Sequence, residues 1–129
     1  MSAEVQLKSG KRHVVGTLED HPPGSARVVE VRSRSIGVFN DAGRLYAMRN
    51  VCPHHGAPLC LGGVSGTMLP SKPHEYEYSG DAPEHRVVRC PWHGYEFRIQ
   101  DGVSIADPDR MRVRTYRVEV EDGDVVVYL

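Results

Sequence analysis

The pattern of hydrophobic and polar positions predicts strands and gives little support for helices. Short runs rich in Val, Ile and Tyr recur between Gly, Pro, Asn and Asp, whereas apolar residues at helical spacing are hard to find. Strands are predicted near 26–31 and 35–40, and the sequence NDAG then turns the chain into a third strand around 45–48. The pattern is typical of an all-β protein.

The second half of the chain continues this pattern. The runs HRVVRC and YEFRI are predicted strands, and QDG supplies the next turn. In the closing stretch YRVEVEDGDVVVYL, valines alternate with glutamates up to the pair Asp122–Gly123. That pair predicts a hairpin turn, with residues 125–129 as the returning strand.

A central excursion, about 65–86, interrupts the strands. Its sequence SGTMLPSKPHEYEYSGDAPEHR combines prolines, glycines and charges, and loops of this length inside a compact domain are uncommon unless they have a function. We predict an extra hairpin or flap, with Tyr76 and Tyr78 facing one way and Glu75 and Glu77 the other. Its expected use is partner recognition.

Length and charge narrow the class of protein. A chain of 129 residues fits one domain, 1–129, and 16 basic against 17 acidic residues leave no basic footprint for nucleic acid. No stretch has the apolar length of a signal peptide or membrane span, so a soluble cytoplasmic protein is expected. Because cytosolic thiols stay reduced, the three cysteines favour metal binding or thiol chemistry over disulfides. His13 and His21 lie in a polar region and are expected in solvent.

Two similar clusters carry the candidate chemistry. CPHHG contains Cys52 and His54 one residue apart, and CPWHG contains Cys90 and His93 two residues apart. In both clusters Pro follows the Cys and Gly follows the last His, which permits a tight turn and a close approach of backbone N–H groups. Two such loops imply one shared ligand.

Three kinds of site remain compatible with these residues. Zinc would accept two Cys and two His, but its usual spacing pairs Cys with Cys and His with His. A Cys–His nucleophilic pair fits by residue type, although it leaves the duplication unexplained. The third is a binuclear iron–sulfur centre, with two thiolates on one iron and two imidazoles on the other.

The stretches CPHHGAPL and CPWHGYEF resemble the two signature loops of Rieske proteins, C-x-H and C-x-x-H. Similarity extends over GVFNDAGRLYAMRN before the first loop and over the whole chain after the second, leaving out the central excursion. The resemblance implies a Rieske-type fold: an antiparallel β-sandwich or barrel with a small cluster-binding subdomain. Two loops, about 50–62 and 88–97, would form that subdomain.

The resemblance also implies a cofactor and its ligands. One Rieske-type 2Fe-2S cluster would be held by Cys52 and Cys90 on the inner iron and by His54 and His93 on the outer iron, near the surface. High-potential relatives in membrane complexes place a further cysteine in each loop, whereas this chain has Trp in the second loop. A disulfide across the cluster is therefore not expected. Cys60 is expected to be a buried small residue, with a reactive thiol as the alternative.

Residues next to the second loop's ligands bear on the reduction potential. The high-potential relatives place hydroxyl side chains where this chain has Tyr95 and Phe97, and a phenylalanine cannot donate a hydrogen bond to sulfur. The reduction potential is expected towards the lower end of the roughly −150 to +300 mV Rieske range. Trp92 is expected to be a packed aromatic residue, and His55 a surface residue in a docking face.

The resemblance implies a soluble one-electron carrier, similar to the ferredoxin component that passes electrons from a reductase to a terminal oxygenase. The length leaves no room for a catalytic mononuclear iron domain, so the protein is expected to be no enzyme by itself. One alternative is a Rieske-like small subunit of a reductase such as nitrite reductase. A zinc-binding interaction module is the alternative from another class.

Overall fold

The computed structural model describes residues 10–53, 56–69, 77–79, 85–92 and 94–129, and the strands in these ranges are numbered in chain order. Contacts divide the chain into two compact units. The first unit joins Met1–Asn50 to Thr115–Leu129, and the second is Val51–Arg114. The chain thus leaves the first unit after its fourth strand and returns to it 65 positions later, so the second unit is an insertion. The single domain of 1–129 stays a prediction.

The first unit is a six-stranded antiparallel sheet that curls into a nearly closed barrel. The strand order is β1-β11-β10-β4-β3-β2. These strands are β1 (Arg12–Thr17), β2 (Ala26–Val31), β3 (Arg34–Asp41), β4 (Arg44–Arg49), β10 (Thr115–Glu121) and β11 (Asp124–Tyr128). The predicted all-β class is confirmed, and five of these six strands coincide with the predicted runs.

The core of the first unit comes from alternate residues of its strands. Val38 lies opposite Ala47 across β3 and β4, so both side chains point to the same face of the sheet. Burial of an aliphatic side chain contributes about 1.5–3 kcal/mol, which makes this face the main source of stability for the unit. Its buried members are Val31, Ile36, Val38, Ala47, Val125 and Val127.

Two of the predicted turns form as expected. Ala42 and Gly43 join β3 to β4 with φ values of 55° and 94°, and Asp122 and Gly123 join β10 to β11 with 52° and 81°. Two successive positive φ values are typical of the type I′ turn, whose twist matches that of the flanking strands. Local turn chemistry therefore sets the register of both hairpins.

Strand β1 and the residues after it differ from the sequence prediction. β1 pairs with β11 and contains a bulge between Val14 and Gly16, and a 3₁₀ turn, Leu18–Asp20, follows it. His21 comes next and is 1% exposed, with Nδ1 3.0 Å from the carbonyl oxygen of Thr17. The expected solvent position of His21 is therefore wrong, because the turn folds its ring inward.

The second unit contains two small sheets. One has the order β5-β8-β9 and is formed by β5 (Val64–Ser65), β8 (Val87–Arg89) and β9 (Glu96–Arg98). The other is an antiparallel hairpin of β6 (Thr67–Leu69) and β7 (Glu77–Ser79). This hairpin confirms the one predicted in the excursion. Glu75 and Tyr76 lie outside the described residues, so the predicted facing of the Tyr and Glu side chains stays a prediction. Throughout the described ranges, no helix is long and apolar enough to cross a membrane.

Candidate metal centre

The first cysteine loop is closed by two backbone hydrogen bonds. The N–H of Cys52 donates to the carbonyl of Ala57 at 2.8 Å, and the N–H of Gly56 donates to the carbonyl of Cys52 at 2.7 Å. Gly56 has a φ of 78°, in the left-handed region that a residue with a side chain adopts only at a cost. The glycine of CPHHG is therefore needed to close the loop.

The second cysteine loop repeats this closure. The N–H of Cys90 donates to the carbonyl of Tyr95 at 2.7 Å, and the N–H of Gly94 donates to the carbonyl of Cys90 at 3.0 Å. Gly94 has a φ of 74°. The two loops thus have the same length and the same hydrogen bonds, as the paired motifs predict.

Both cysteines at these equivalent positions are buried. Cys52 and Cys90 are each 1% exposed, and the structure shows no disulfide for any of the three cysteines. A buried cysteine can pack as a small apolar residue in its thiol form. It can also bind a metal as a thiolate, whose charge the metal then stabilises. Two buried thiols in matching loops favour the ligand role.

The two loops are joined by close backbone packing just outside them. Arg89, directly before Cys90, donates its N–H to the carbonyl of Gly63 at 3.0 Å. A Cβ placed on Gly62 would lie 1.6 Å from the carbonyl oxygen of Arg89, so only glycine permits this approach. Sequence reasoning missed this contact, although the doublet Gly62–Gly63 after the first loop was a visible signal for it.

The second loop is also the connection of a hairpin. Arg89 and Glu96 are the last paired residues of β8 and β9 before the loop begins. Their side chains form an ion pair at 2.7 Å, in which the Arg89 side chain is 55% exposed and that of Glu96 is 20% exposed. A charged pair therefore lies at the base of the loop that carries Cys90.

The far end of β9 has a second ion pair, between Arg98 and Asp101, in the predicted QDG turn. Burial acts to raise the pKa of Asp101, but hydrogen bonds from Arg98 and from the N–H of Val103 outweigh it and lower the pKa overall. The N–H of Gly102 closes the turn on the carbonyl of Arg98 at 2.7 Å. This turn is confirmed.

The remaining predicted site residues have mixed outcomes. His54, His55 and His93 lie outside the described residues, so their predicted roles stay predictions. Trp92 is 58% exposed, and its expected packed position is therefore wrong. Cys60 is partly buried, whereas a buried position is predicted for it.

Two further observations bear on the centre. Phe97 is fully buried beside the second loop in sequence, and its ring has no group that can donate to sulfur. Among the described residues, no group of three or more His, Cys, Asp or Glu side chains could hold a metal ion.

The paired loops and the β-sheet architecture together define a class of protein. A family model, the Rieske [2Fe-2S] domain, matches residues 11–117, which include both cysteine loops. The chain belongs to the Rieske [2Fe-2S] domain family. The predicted family, fold and cofactor, one Rieske-type 2Fe-2S cluster, are confirmed by this membership.

Individual proteins show what the chain is similar to. It is 26% identical over 110 residues to the ferredoxin component of the naphthalene 1,2-dioxygenase/salicylate 5-hydroxylase systems of a Ralstonia species, covering 85% of this chain and 88% of that protein. Among solved structures, it matches one described as a complex of reduced oxygenase and oxidised ferredoxin in carbazole 1,9a-dioxygenase. That match has a TM-score of 0.67 and 26% identity, and covers 91% of this chain and 92% of the other.

Another fold neighbour is a putative NADH-dependent nitrite reductase small subunit from Mycobacterium tuberculosis. It has a TM-score of 0.71 and 24% identity, covering 91% of this chain and 93% of that one. Some relatives are much longer. The chain spans 56% of the cytochrome b6-f complex iron-sulfur subunit of Chlorobaculum tepidum, to which it is 28% identical over 122 residues, and 15% of mouse apoptosis-inducing factor 3.

The donor set of the chain fits the cluster of this family. A 2Fe-2S cluster with only thiolate ligands needs four cysteines, and this chain has three, of which Cys60 lies outside both closed loops. A 2Fe-2S cluster in this chain would therefore need a ligand type besides cysteine. Each loop motif also contains histidine, the residue type that replaces two Cys on one iron in the Rieske type.

Proposed function

We propose that the protein is a one-electron carrier that passes electrons from a reductase to a terminal oxygenase. The observation that carries the proposal is the matching closure of two loops around two buried cysteines, in a chain of the Rieske [2Fe-2S] family. The ferredoxin component of the Ralstonia dioxygenase systems, of similar length, supports the choice of partners.

In this proposal Cys52 and Cys90 bind the inner iron, and His54 and His93 bind the outer iron. When bound, the cluster supplies a site that takes up and releases a single electron. The chain itself would exclude water from the sulfur side through the burial of both cysteines. The closed loops would fix both cysteines by backbone hydrogen bonds, so little rearrangement would accompany electron transfer.

The docking face of the carrier would lie at the histidine side of the loops. Trp92, exposed and inside the second loop, supports this choice, since exposed aromatic residues are enriched at protein interfaces. We propose that His55 and the hairpin β6–β7 lie in or beside the same face. The protein would have no catalytic activity of its own, and its location would be the cytoplasm, where thiols stay reduced.

The fold neighbour described as a nitrite reductase small subunit favours a second candidate. In that case the chain would be a resident subunit of a reductase. The two candidates differ in how long the chain stays with its partner, because a carrier must exchange between a donor and an acceptor while a subunit remains bound.

The ligand set is tested by analysis of iron and acid-labile sulfide in anaerobically purified protein. We expect two of each per chain, and their loss in Cys52→Ser and Cys90→Ser. Cys60→Ser, the matched control, should keep both. Stoichiometric zinc without sulfide would support the interaction module and overturn the proposal.

The two partner assignments are separated by native purification from the source cells. A chain that elutes alone and is reduced by an added reductase fraction is a carrier. A chain that stays with a large flavin or haem subunit through gel filtration in high salt is a reductase subunit instead.

A further inference from the structure

We propose that the ion pair Arg89–Glu96 sets the electrostatic balance at the second cysteine loop and thereby the reduction potential of the centre. This inference rests on the proposed ligand Cys90. Arg89 precedes that cysteine directly, and Glu96 directly follows Tyr95, the residue whose carbonyl closes the loop. The pair therefore spans the base of the loop, at 2.7 Å between Arg89 Nη2 and a Glu96 carboxylate oxygen.

The position of Glu96 allows its charge to affect the reduction potential. Its side chain is only 20% exposed, and its backbone carbonyl accepts the N–H of Ile105 at 2.9 Å, which holds the residue in place. A partly buried charge is poorly screened by solvent and salt. A carboxylate fixed at this position opposes the addition of an electron nearby, and the guanidinium of Arg89 compensates for it.

The backbone of Arg89 also contacts the glycines that follow the first cysteine loop. Its N–H donates to Gly63, and its carbonyl packs against Gly62, which follows the first loop. These contacts are made by its backbone and remain when the side chain is changed. Because the Arg89 side chain is 55% exposed, its ion pair contributes little to stability, and replacing this side chain leaves the backbone link in place.

The charges predict shifts of opposite sign. Arg89→Gln removes a positive charge from the base of the loop, which disfavours the reduced state and lowers the reduction potential. Glu96→Gln removes the negative charge, can still accept a hydrogen bond from Arg89, and raises the potential. The reduction potential of the double variant should be close to that of the parent, because the two charge changes cancel. A pair with only a structural role would give no such cancellation.

The test is a redox titration of the cluster-loaded parent and variants at one fixed pH and ionic strength. Arg98→Gln is the matched control, because it also breaks an ion pair of β9 and leaves a carboxylate behind, two positions further from the loop. We expect the Arg89→Gln shift to be at least about twofold larger than the control shift, since Coulomb interactions weaken with distance.

Shifts of the same sign in the two single variants, or shifts no larger than the control, would overturn the inference. If Arg89→Gln does not retain iron and sulfide, the sign of the Glu96→Gln shift decides alone. Loss of the cluster in both variants would show that the ion pair has a structural role, and this result would also overturn the inference. A parent without iron and sulfide would instead refute the proposed function.

Discussion

Gly62 and Gly63 are neighbours in the sequence but have different surroundings in the structure. Only Gly62 lies against the backbone of Arg89, whereas a Cβ on Gly63 would meet no atom within 4 Å. A glycine needed for close approach looks the same in a sequence as one that merely lies in a loop. The distinction depends on a contact with a residue 27 positions later, which no local pattern reveals.

Gly62→Ala should therefore destabilise the protein, because the obstructing atom belongs to backbone that cannot rotate away. We expect a loss of about 3 kcal/mol, at the upper end for an overpacked site, and a lower midpoint in urea unfolding. Gly63→Ala should stay within about 0.5 kcal/mol of the parent. Equal midpoints for the two variants would contradict the close packing of Gly62.

His21 and Trp92 show where sequence reasoning failed for single residues. The polar sequence around His21 suggested solvent, but a capped 3₁₀ turn directly before it directs the ring into the protein. Trp92 was expected to pack by its residue type, yet it is exposed in a loop. By contrast, the equivalent positions of Cys52 and Cys90 could be predicted, because the motif repeats within the chain.

At the scale of elements, the hairpins were predictable because their signals are local. Alternating residues and short turn sequences lie within a few positions of one another, as in β3–β4 and β10–β11. Strand β1 was missed because its partner, β11, lies about 110 residues away in sequence. Val15 of this strand is partly buried against the core of the unit, which no local pattern around it indicates.

The turn from β3 to β4 offers a stabilising change. Ala42 has a φ of 55°, which costs alanine more than asparagine. Ala42→Asn should therefore raise the free energy of unfolding by about 0.5–1 kcal/mol and raise Tm. Ala26→Asn, on the exposed start of extended β2, should give no gain. A fall in Tm for Ala42→Asn would exclude the type I′ turn.

The hairpin β10–β11 contains a titrating pair. A hydrogen bond to Glu121 is the largest cause that raises the pKa of Tyr128, and the same bond lowers the pKa of Glu121. Because the folded pKa of Tyr128 is raised, the associated stability is complete below about pH 10 and is lost as the pH rises through the folded value.

Glu121→Gln should lower the pKa of Tyr128 towards that of an ordinary tyrosine. NMR titration of the tyrosine ring carbons measures this, with Tyr128→Phe to assign the signal. Glu119→Gln is the matched control, since Glu119 makes the smallest contribution to the shift. An unchanged Tyr128 titration in Glu121→Gln would show that the hydrogen bond does not control it.

At the scale of the whole molecule, the second unit is an insertion between β4 and β10. Sequence indicated the loops and the hairpin of the excursion but placed no boundary at Asn50 or Thr115. A boundary of this kind depends on which contacts are made across the chain, and the composition does not change there. The family resemblance, by contrast, predicted a small subdomain that contains two cysteine loops, and both loops lie in the second unit.

Removal of the cluster should affect the two units differently. Because metal binding contributes directly to folding free energy, chelation of iron should reduce hydrogen-exchange protection in 51–114. Amides of β1–β4, β10 and β11 should keep most of their hydrogen-exchange protection, since the core of this unit consists of aliphatic residues and contains no predicted metal ligand. An equal loss of protection in both units would contradict this prediction.

The central claim is that two loops hold one 2Fe-2S cluster with two Cys and two His ligands. EPR of the reduced protein tests it most directly, with His54→Ala and His93→Ala measured in parallel. The account predicts a reduced-state signal with average g below 2 in the parent and its loss in both variants. A colourless, EPR-silent protein, or variants with unchanged signals, would contradict it.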